Sequence, residues 1–162
     1  MPRLENRIVL ISGGASGIGA ATARLVAREG GKAVLADRDE ARGRALAAEL
    51  GAAAHFIALD VTQEPSWKAA VAATVAAFGG VHGLLNAAGV GVRNDIETCT
   101  LEEYRRVNDI NALGTFLGCK SVIAAMREAG GGSIVNISSV LGLRGAAQAM
   151  AYSASKGAVR TL

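Results

Sequence analysis

Short apolar runs alternate with longer helical stretches along the chain. Arg7 to Ser12 (RIVLIS), Lys32 to Asp37 (KAVLAD), His55 to Asp60 (HFIALD), Gly83 to Ala87 (GLLNA) and Ser133 to Ser138 (SIVNIS) are runs rich in Val, Ile, Leu and Ala. Their apolar residues come in continuous blocks, the pattern of strands buried on both faces. Helices are predicted over Gly17 to Glu29, Arg38 to Leu50, Pro65 to Phe78 and most of Leu101 to Glu128, with a last one beginning near Ala151. Gly30 and Gly31, Gly51, and the triplet Gly130 to Gly132 mark stops. Pro65 falls in a first turn, where proline is tolerated. Alternating strands and helices form right-handed crossovers, so the expected class is α/β, a doubly wound parallel sheet with helices on both faces. No linker or internal repeat interrupts the pattern. Residues 1–162 are read as a single domain that is incomplete at its C-terminus, because a crossover helix should lead to another strand and none follows Leu162.

Composition narrows the chemistry. Of 162 residues, 51% are hydrophobic and 19% charged, a globular composition able to build a core. The net charge of +3 comes from scattered Lys and Arg, and aromatics are only 4%, so neither the basic stripe nor the stacking platform of a nucleic-acid binder is present. Cys99 and Cys119 lie 20 residues apart, which suggests neither a disulfide framework nor a zinc site. His55 and His82 have no ligand-spaced partner, so no metal is expected. No apolar run is long enough to span a bilayer. The N-terminus leads into a strand rather than a signal segment. A cytoplasmic location with no membrane partner is the default expectation.

The stretch from Ser12 to Gly19 (SGGASGIG) lies between the first strand and the first helix. Glycines permit a tight turn and close approach of a ligand to the backbone. The helix start adds unpaired N–H groups and a positive dipole end, which suit a pyrophosphate. Gly13, Gly17 and Gly19 are spaced G-x-x-x-G-x-G, with Ser16 and Ile18 between them, and all five are candidate cofactor contacts. Asp37 closes the second strand, 18 residues past Gly19, where a carboxylate can accept from adenosine ribose hydroxyls and repel a 2′-phosphate. That favours NAD. Arg38 beside it is the argument for NADP, since a guanidinium can pair with that phosphate. Asp60 and Val61, after the third strand, can reach an adenine ring; Asp60 can equally cap the next turn.

Tyr152 and Lys156 are four residues apart, on one face of the last helix. A phenol of ordinary pKa ~10 is a poor base at neutral pH. An ammonium about 4 Å away contributes roughly 4 kcal/mol at an effective dielectric near 20, enough to bring that phenol toward neutrality before screening. Such a pair can exchange a proton with an alcohol or carbonyl. Ser138 and Ser139 follow the fifth strand, at the sheet edge where ligands bind, and Ser139 can hydrogen-bond a substrate oxygen. Asn111 is a poor helix former inside a helical stretch, where it can disturb the helix and offer its amide to a water chain.

In order along the chain, Gly13, Gly17, Gly19, the segment Asn86-Ala87-Ala88-Gly89, Asn111, Ser139, Tyr152 and Lys156 resemble the motifs of the short-chain dehydrogenase/reductase family. The resemblance implies a Rossmann-like sheet of strand order 3-2-1-4-5. It implies Tyr152 as acid/base, Lys156 lowering its pKa and holding the nicotinamide ribose, Ser139 polarising the substrate oxygen and Asn111 supporting a water-linked proton path. Asn86 and Gly89 would support the cofactor turn and sheet edge, and Ala88 would allow close approach. It further implies a homodimer or homotetramer built partly through the helices carrying Asn111 and Tyr152. The family pattern continues through two more strands, a Pro-Gly turn and a substrate-covering loop beyond the last residue here.

Three readings stay open: an NAD-dependent dehydrogenase or reductase of a secondary alcohol or ketone; an NADPH-dependent 3-oxoacyl-thioester reductase whose Arg105, Arg106, Arg127 and Arg160 dock an acidic carrier protein; and a dinucleotide-binding module without turnover. Leu141, Leu143, Arg144, Gln148 and Met150 lie between Ser139 and Tyr152, suggesting a partly apolar substrate site with one or two polar contacts.

Overall fold

The computed structural model describes residues 2–162. Five strands, β1 (Ile8–Ser12), β2 (Lys32–Asp37), β3 (Ala54–Ala58), β4 (Gly83–Asn86) and β5 (Ser133–Asn136), form one sheet in the order β3-β2-β1-β4-β5. All four pairings are parallel. The helices are α1 (Gly17–Arg28), α2 (Glu40–Leu50), α3 (Glu64–Phe78), α4 (Leu101–Asn108), α5 (Gly114–Glu128) and α6 (Met150–Thr161). The doubly wound α/β class and the 3-2-1-4-5 order are both as expected. After β3 the chain returns to the middle of the sheet, so the carboxyl ends of β1 and β4 flank a switch point, the place where such sheets open a crevice.

Successive strand residues face opposite sides, and here both sides are apolar. Leu10, Val34 and Leu84 point to one side, with Trp67 of α3 and Leu117 and Val122 of α5. Ile11, Leu35 and Leu85 point to the other, with Ala23 and Val26 of α1 and Leu46 of α2. The register sets Ile11 between Leu35 and Leu85. Two-sided burial explains why these strands read as solid apolar runs. The edge strands β3 and β5 are the exceptions: only Phe56 is buried in β3, and Val135 of β5 is 51% exposed.

The predicted third and fifth strands end early, at Ala58 and Asn136. Leu59 still bonds back to Asp37, but Asp60 then turns its carboxylate onto the backbone and hydroxyl of Thr62, which bends the chain out of the ladder. The predicted 101–128 helix is three pieces. A capping box between Thr100 and Glu103 starts α4, and a π-helical turn over Asp109–Leu113 separates it from α5. The wider turn contains Asn111, which is fully buried. The histidines are structural, as expected: His82 Nδ1 accepts the Ile8 N–H at 3.3 Å, and His55 meets Phe78 edge to face. Among the described residues no helix is long and apolar enough to cross a membrane.

Trp67 is the largest fully buried side chain, and its indole N–H donates to the Val61 carbonyl at 3.0 Å. Trp67→Ala is expected to cost about 3–5 kcal/mol in urea unfolding followed by circular dichroism, since the substitution also removes the chain's one tryptophan fluorophore. A loss below about 1 kcal/mol would mean that α3 does not anchor this face of the core.

Candidate active site

A groove of about 1200 Å³ runs along the carboxyl edge of the sheet. Of the predicted cofactor residues, Gly13, Ser16, Gly17, Ile18, Asp37, Arg38, Asp60, Val61, Ala88 and Gly89 line it, facing Leu101, Arg105 and Arg106 of α4. Gly13 has φ +70°, and a Cβ on it would lie 2.7 Å from the Ala88 nitrogen. The glycine turn and the Asn86–Gly89 segment are therefore in backbone contact, which only a glycine at 13 permits. Ser12 reinforces this: its carbonyl accepts from Ala87 and its hydroxyl from Ala88. Gly19 sits behind the turn, where a Cβ would collide with the Gly13 carbonyl, so it sets the closeness of helix and turn from outside the groove.

The groove fits a dinucleotide pyrophosphate. Gly17 has φ +51° with nothing within 4 Å of where its Cβ would be, so its backbone lies open to the groove. Ser16 caps α1 with extended backbone but makes no side-chain capping bond, and the first turn of α1 holds no acid. The orphan N–H groups and positive end of this helix thus remain for an anion. At the far rim, the Asp37 carboxylate accepts from the Ala15 and Asp39 amides, both at 3.0 Å. A carboxylate offers about four acceptor sites, so about two remain for ribose hydroxyls. Arg38 is exposed on the same rim and makes no ion pair among the described residues. Asp60 both lines the groove and caps the Thr62 turn.

Asn86 and Asn111 act through other groups. Asn86 Nδ2 donates to Asn136 Oδ1 at 3.0 Å and lies 3.4 Å from the Thr115 carbonyl, which ties β4 to β5 and α5 rather than to the glycine turn. Asn111 grips the backbone of one residue on both sides, through the two peptide groups that flank Val90: Oδ1 accepts the Val90 N–H at 2.8 Å, and Nδ2 donates to the Val90 carbonyl at 2.9 Å. These two bonds fix the orientation of the side-chain amide, and Oδ1 keeps a second acceptor site.

Beside the groove lies a second cavity of about 560 Å³, lined by Gly91, Val92, Arg93, Leu141, Tyr152 and the 146–149 segment. The chain from Gly89 to Val92 passes from one cavity wall to the other. Tyr152 is half-buried, with the Lys156 Nζ 5.7 Å from its ring centroid. Lys156 is buried and donates to the Ile137 carbonyl at 2.6 Å. An ammonium has three N–H donors, so two remain for a ligand or for Tyr152. Ser139 caps a short 3-10 turn over Val140–Gly142, accepting from the Leu141 N–H at 3.2 Å. Its hydroxyl hydrogen stays free to donate, although Ser139 lines neither cavity. The structure adds Ser12, Asn136 and Ser155 to the residues singled out from sequence. For Ser155 the available signal is a hydroxyl on the otherwise apolar buried stripe Ala151, Ser155, Val159. Among the described residues no cluster of three His, Cys, Asp or Glu is placed to hold a metal.

Burial pushes the Lys156 ammonium below its ordinary 10.5. Between that lowered value and 10.5 the unfolded chain binds more protons than the folded one, so stability rises with pH through this window and the penalty is borne in full below it. Urea stability measured from neutral to about pH 10.5 is expected to rise less steeply in Lys156→Met than in the parent. Parallel curves would show that burying this charge carries no cost. A second expected outcome concerns the turn: Gly13→Ala should destabilise the chain and abolish dinucleotide binding in calorimetry, and retention of near-parent affinity would dissociate the turn from the groove.

A family model described as short chain dehydrogenase matches residues 7–162. The chain is 48% identical over 160 residues to the 3-alpha-(or 20-beta)-hydroxysteroid dehydrogenase of Mycobacterium tuberculosis, covering 99% of this chain and 62% of the relative. It is 43% identical to the cyclopentanol dehydrogenase of Comamonas testosteroni, with 99% and 65% covered. The trans-4-hydroxycyclohexanecarboxylate dehydrogenase of Sinomonas cyclohexanicum is likewise 43% identical, again with 99% and 65% covered. This sequence thus spans a little under two thirds of the length of these relatives. The matched model over nearly all residues, the parallel sheet with its glycine turn, and the juxtaposed Tyr152 and Lys156 together make this chain a member of the short-chain dehydrogenase family.

Proposed function

We propose that residues 1–162 form one dinucleotide-binding domain of an oxidoreductase that transfers a hydride between NAD(H) and a secondary alcohol or ketone, with Tyr152 as general acid/base. The observation that carries this reading is the buried Lys156 ammonium held beside the Tyr152 ring, its Nζ 3.6 Å from where a Cβ on the groove residue Gly89 would stand, while Tyr152 lines the second cavity. A bound nicotinamide dinucleotide supplies the hydride-exchanging group. Tyr152 takes the hydroxyl proton of an alcohol, or returns it to a carbonyl. The Lys156 ammonium stands beside that phenol, its Nζ 5.7 Å from the ring centroid. The free hydroxyl hydrogen of Ser139 steadies the substrate oxygen. Carboxylates of Asp37 kind favour NAD by repelling a 2′-phosphate; the unpaired Arg38 on the same rim supports NADP as the second reading.

The second cavity presents Val92, Leu141 and Ala residues beside Arg93 and Gln148, with no acid, which supports a small, partly apolar substrate with one or two polar contacts. The relatives named above act, by their names, on hydroxysteroids, cyclopentanol and a hydroxycyclohexane carboxylate. A ring-borne secondary alcohol is the substrate class proposed. The exposed Phe116 and Ile123 of α5 support assembly as a homodimer or homotetramer through that helix.

Reduction of NAD by cyclopentanol, followed at the nicotinamide absorbance, is expected to fall by at least about 100-fold in Tyr152→Phe, with NADH affinity within about twofold of the parent. A Tyr152→Phe variant that still turns over normally would remove the proposed acid/base. Titration with both reduced cofactors should favour NADH, and Asp37→Ser should narrow the gap; tighter NADPH binding by the parent would reverse the cofactor assignment.

A further inference from the structure

One buried hydroxyl of α6 belongs to no role described above. Ser155 is fully buried. Its Oγ donates to the Tyr152 carbonyl at 2.7 Å and accepts from Asn111 Nδ2 at 2.9 Å. A hydroxyl bonding back to a carbonyl three residues earlier is common in helices and has no significance alone. The incoming bond from Asn111 is what distinguishes Ser155. Asn111 has two amide hydrogens and one carbonyl oxygen: one hydrogen goes to Val90 O, the other to Ser155, and the oxygen receives Val90 N–H. Ser155 has one hydrogen, and it goes to Tyr152. Every hydrogen in this set has a partner, and a buried network that is fully satisfied is stiff.

The set joins the two halves of the site. Val90 continues the segment whose Ala88 abuts the glycine turn, and Gly91 follows with its Cβ position 3.7 Å from the Tyr152 ring. At the other end, the carbonyl that Ser155 holds belongs to Tyr152 itself. Three elements are concerned, the loop after β4, the π turn and α6; α6 also packs on the π turn, and a bridge between Asn94 and Ala149 joins the loop to the start of α6, but only Asn111 and Ser155 link all three by side-chain hydrogen bonds. We propose that Ser155 is a positioning residue that couples the cofactor-side loop at Val90 to Tyr152, through Asn111, so that one hydroxyl sets the placement of the phenol relative to the groove. This deepens the reading of Tyr152 as acid/base and rests on it.

Ser138 provides an internal control. Its hydroxyl also donates to an α6 carbonyl, that of Lys156 at 2.8 Å, but from the β5 side and with no link to Asn111. Ser155→Ala and Ser138→Ala each remove one hydroxyl-to-carbonyl bond on α6. Only the first leaves an Asn111 hydrogen unpaired.

Amide exchange at Val90 and NADH affinity, measured by NMR and calorimetry on the chain with each substitution, separate coupling from general loosening. In Ser155→Ala the Val90 N–H should exchange about tenfold faster and NADH should bind several-fold more weakly, as expected for one buried hydrogen bond. Ser155→Thr, which keeps the hydroxyl, should recover both. Ser138→Ala should lower the melting temperature by a similar amount, yet leave Val90 exchange and NADH affinity within about twofold. Val90 exchange unchanged in Ser155→Ala, or accelerated equally in Ser138→Ala, overturns the proposal. Should Ser155→Ala fail to fold, Ser155→Cys preserves the buried volume, and Val90 exchange in that variant decides. If the parent chain does not bind NADH, the functional reading fails, while Val90 exchange still decides whether Ser155 positions the loop.

Discussion

The arrangement of this site depends on the contact between the Gly13 backbone and the Ala88 backbone. Two neighbouring parallel strands, β1 and β4, each end in a segment that must turn outward, and the sheet holds those segments side by side. A side chain at position 13 would force them apart, because its Cβ would stand 2.7 Å from a peptide nitrogen. With glycine there, the turn stays low, α1 starts close to the sheet edge, and its uncapped amides face the groove. The chain after Ala88 is then fed past Asn111 toward Tyr152. The groove and the Tyr152–Lys156 pair thus share one backbone path.

Charge is distributed along that path in a way that suits its separate ends. The start of α1 presents unpaired N–H groups without an acid in its first turn, a weakly positive environment for phosphate. Asp37 places a negative charge at the rim, with its orientation set by two backbone amides. Lys156 brings a positive charge to the inner end, and burial makes that charge costly. A buried ammonium with one carbonyl partner and two hydrogens to spare is poorly stabilised by the protein alone. Such unfavourable placement is typical of groups kept for chemistry, and it contrasts with Glu64, whose carboxylate is satisfied between Lys120 and Lys68 and simply ties α3 to α5.

The helices over the site show the same division between structural and chemical demands. The predicted long helix is broken by a π turn, and this local irregularity turns the Asn111 amide toward the Val90 peptide. An asparagine in a regular helix facing apolar neighbours would be a liability; here its buried polar atoms are nearly all paired. Asn86 performs the related task one strand away by linking β4 to β5, although its Oδ1 lacks a partner. These amides hold the sheet edge and the Val90 loop in shape.

The sequence by itself determined the class of the fold, the glycine turn and the helical pairing of Tyr152 with Lys156. Each of these follows from local rules: continuous apolar runs for strands buried on both faces, left-handed glycine conformations, and a four-residue helical repeat. The exposed ends of strands β3 and β5 were less legible, because Asp60 and the edge position of β5 end the ladder for reasons outside the apolar pattern. Only the tertiary structure decided what Asn86, Asn111 and Ser155 do. A polar side chain buried between elements takes its meaning from the peptide opposite it, and Val90 lies 21 residues from Asn111, while Ser155 lies 44 away. No local rule relates positions so far apart; their hydrogen bonds exist because the sheet and helices bring Asn111 and Ser155 together in the interior.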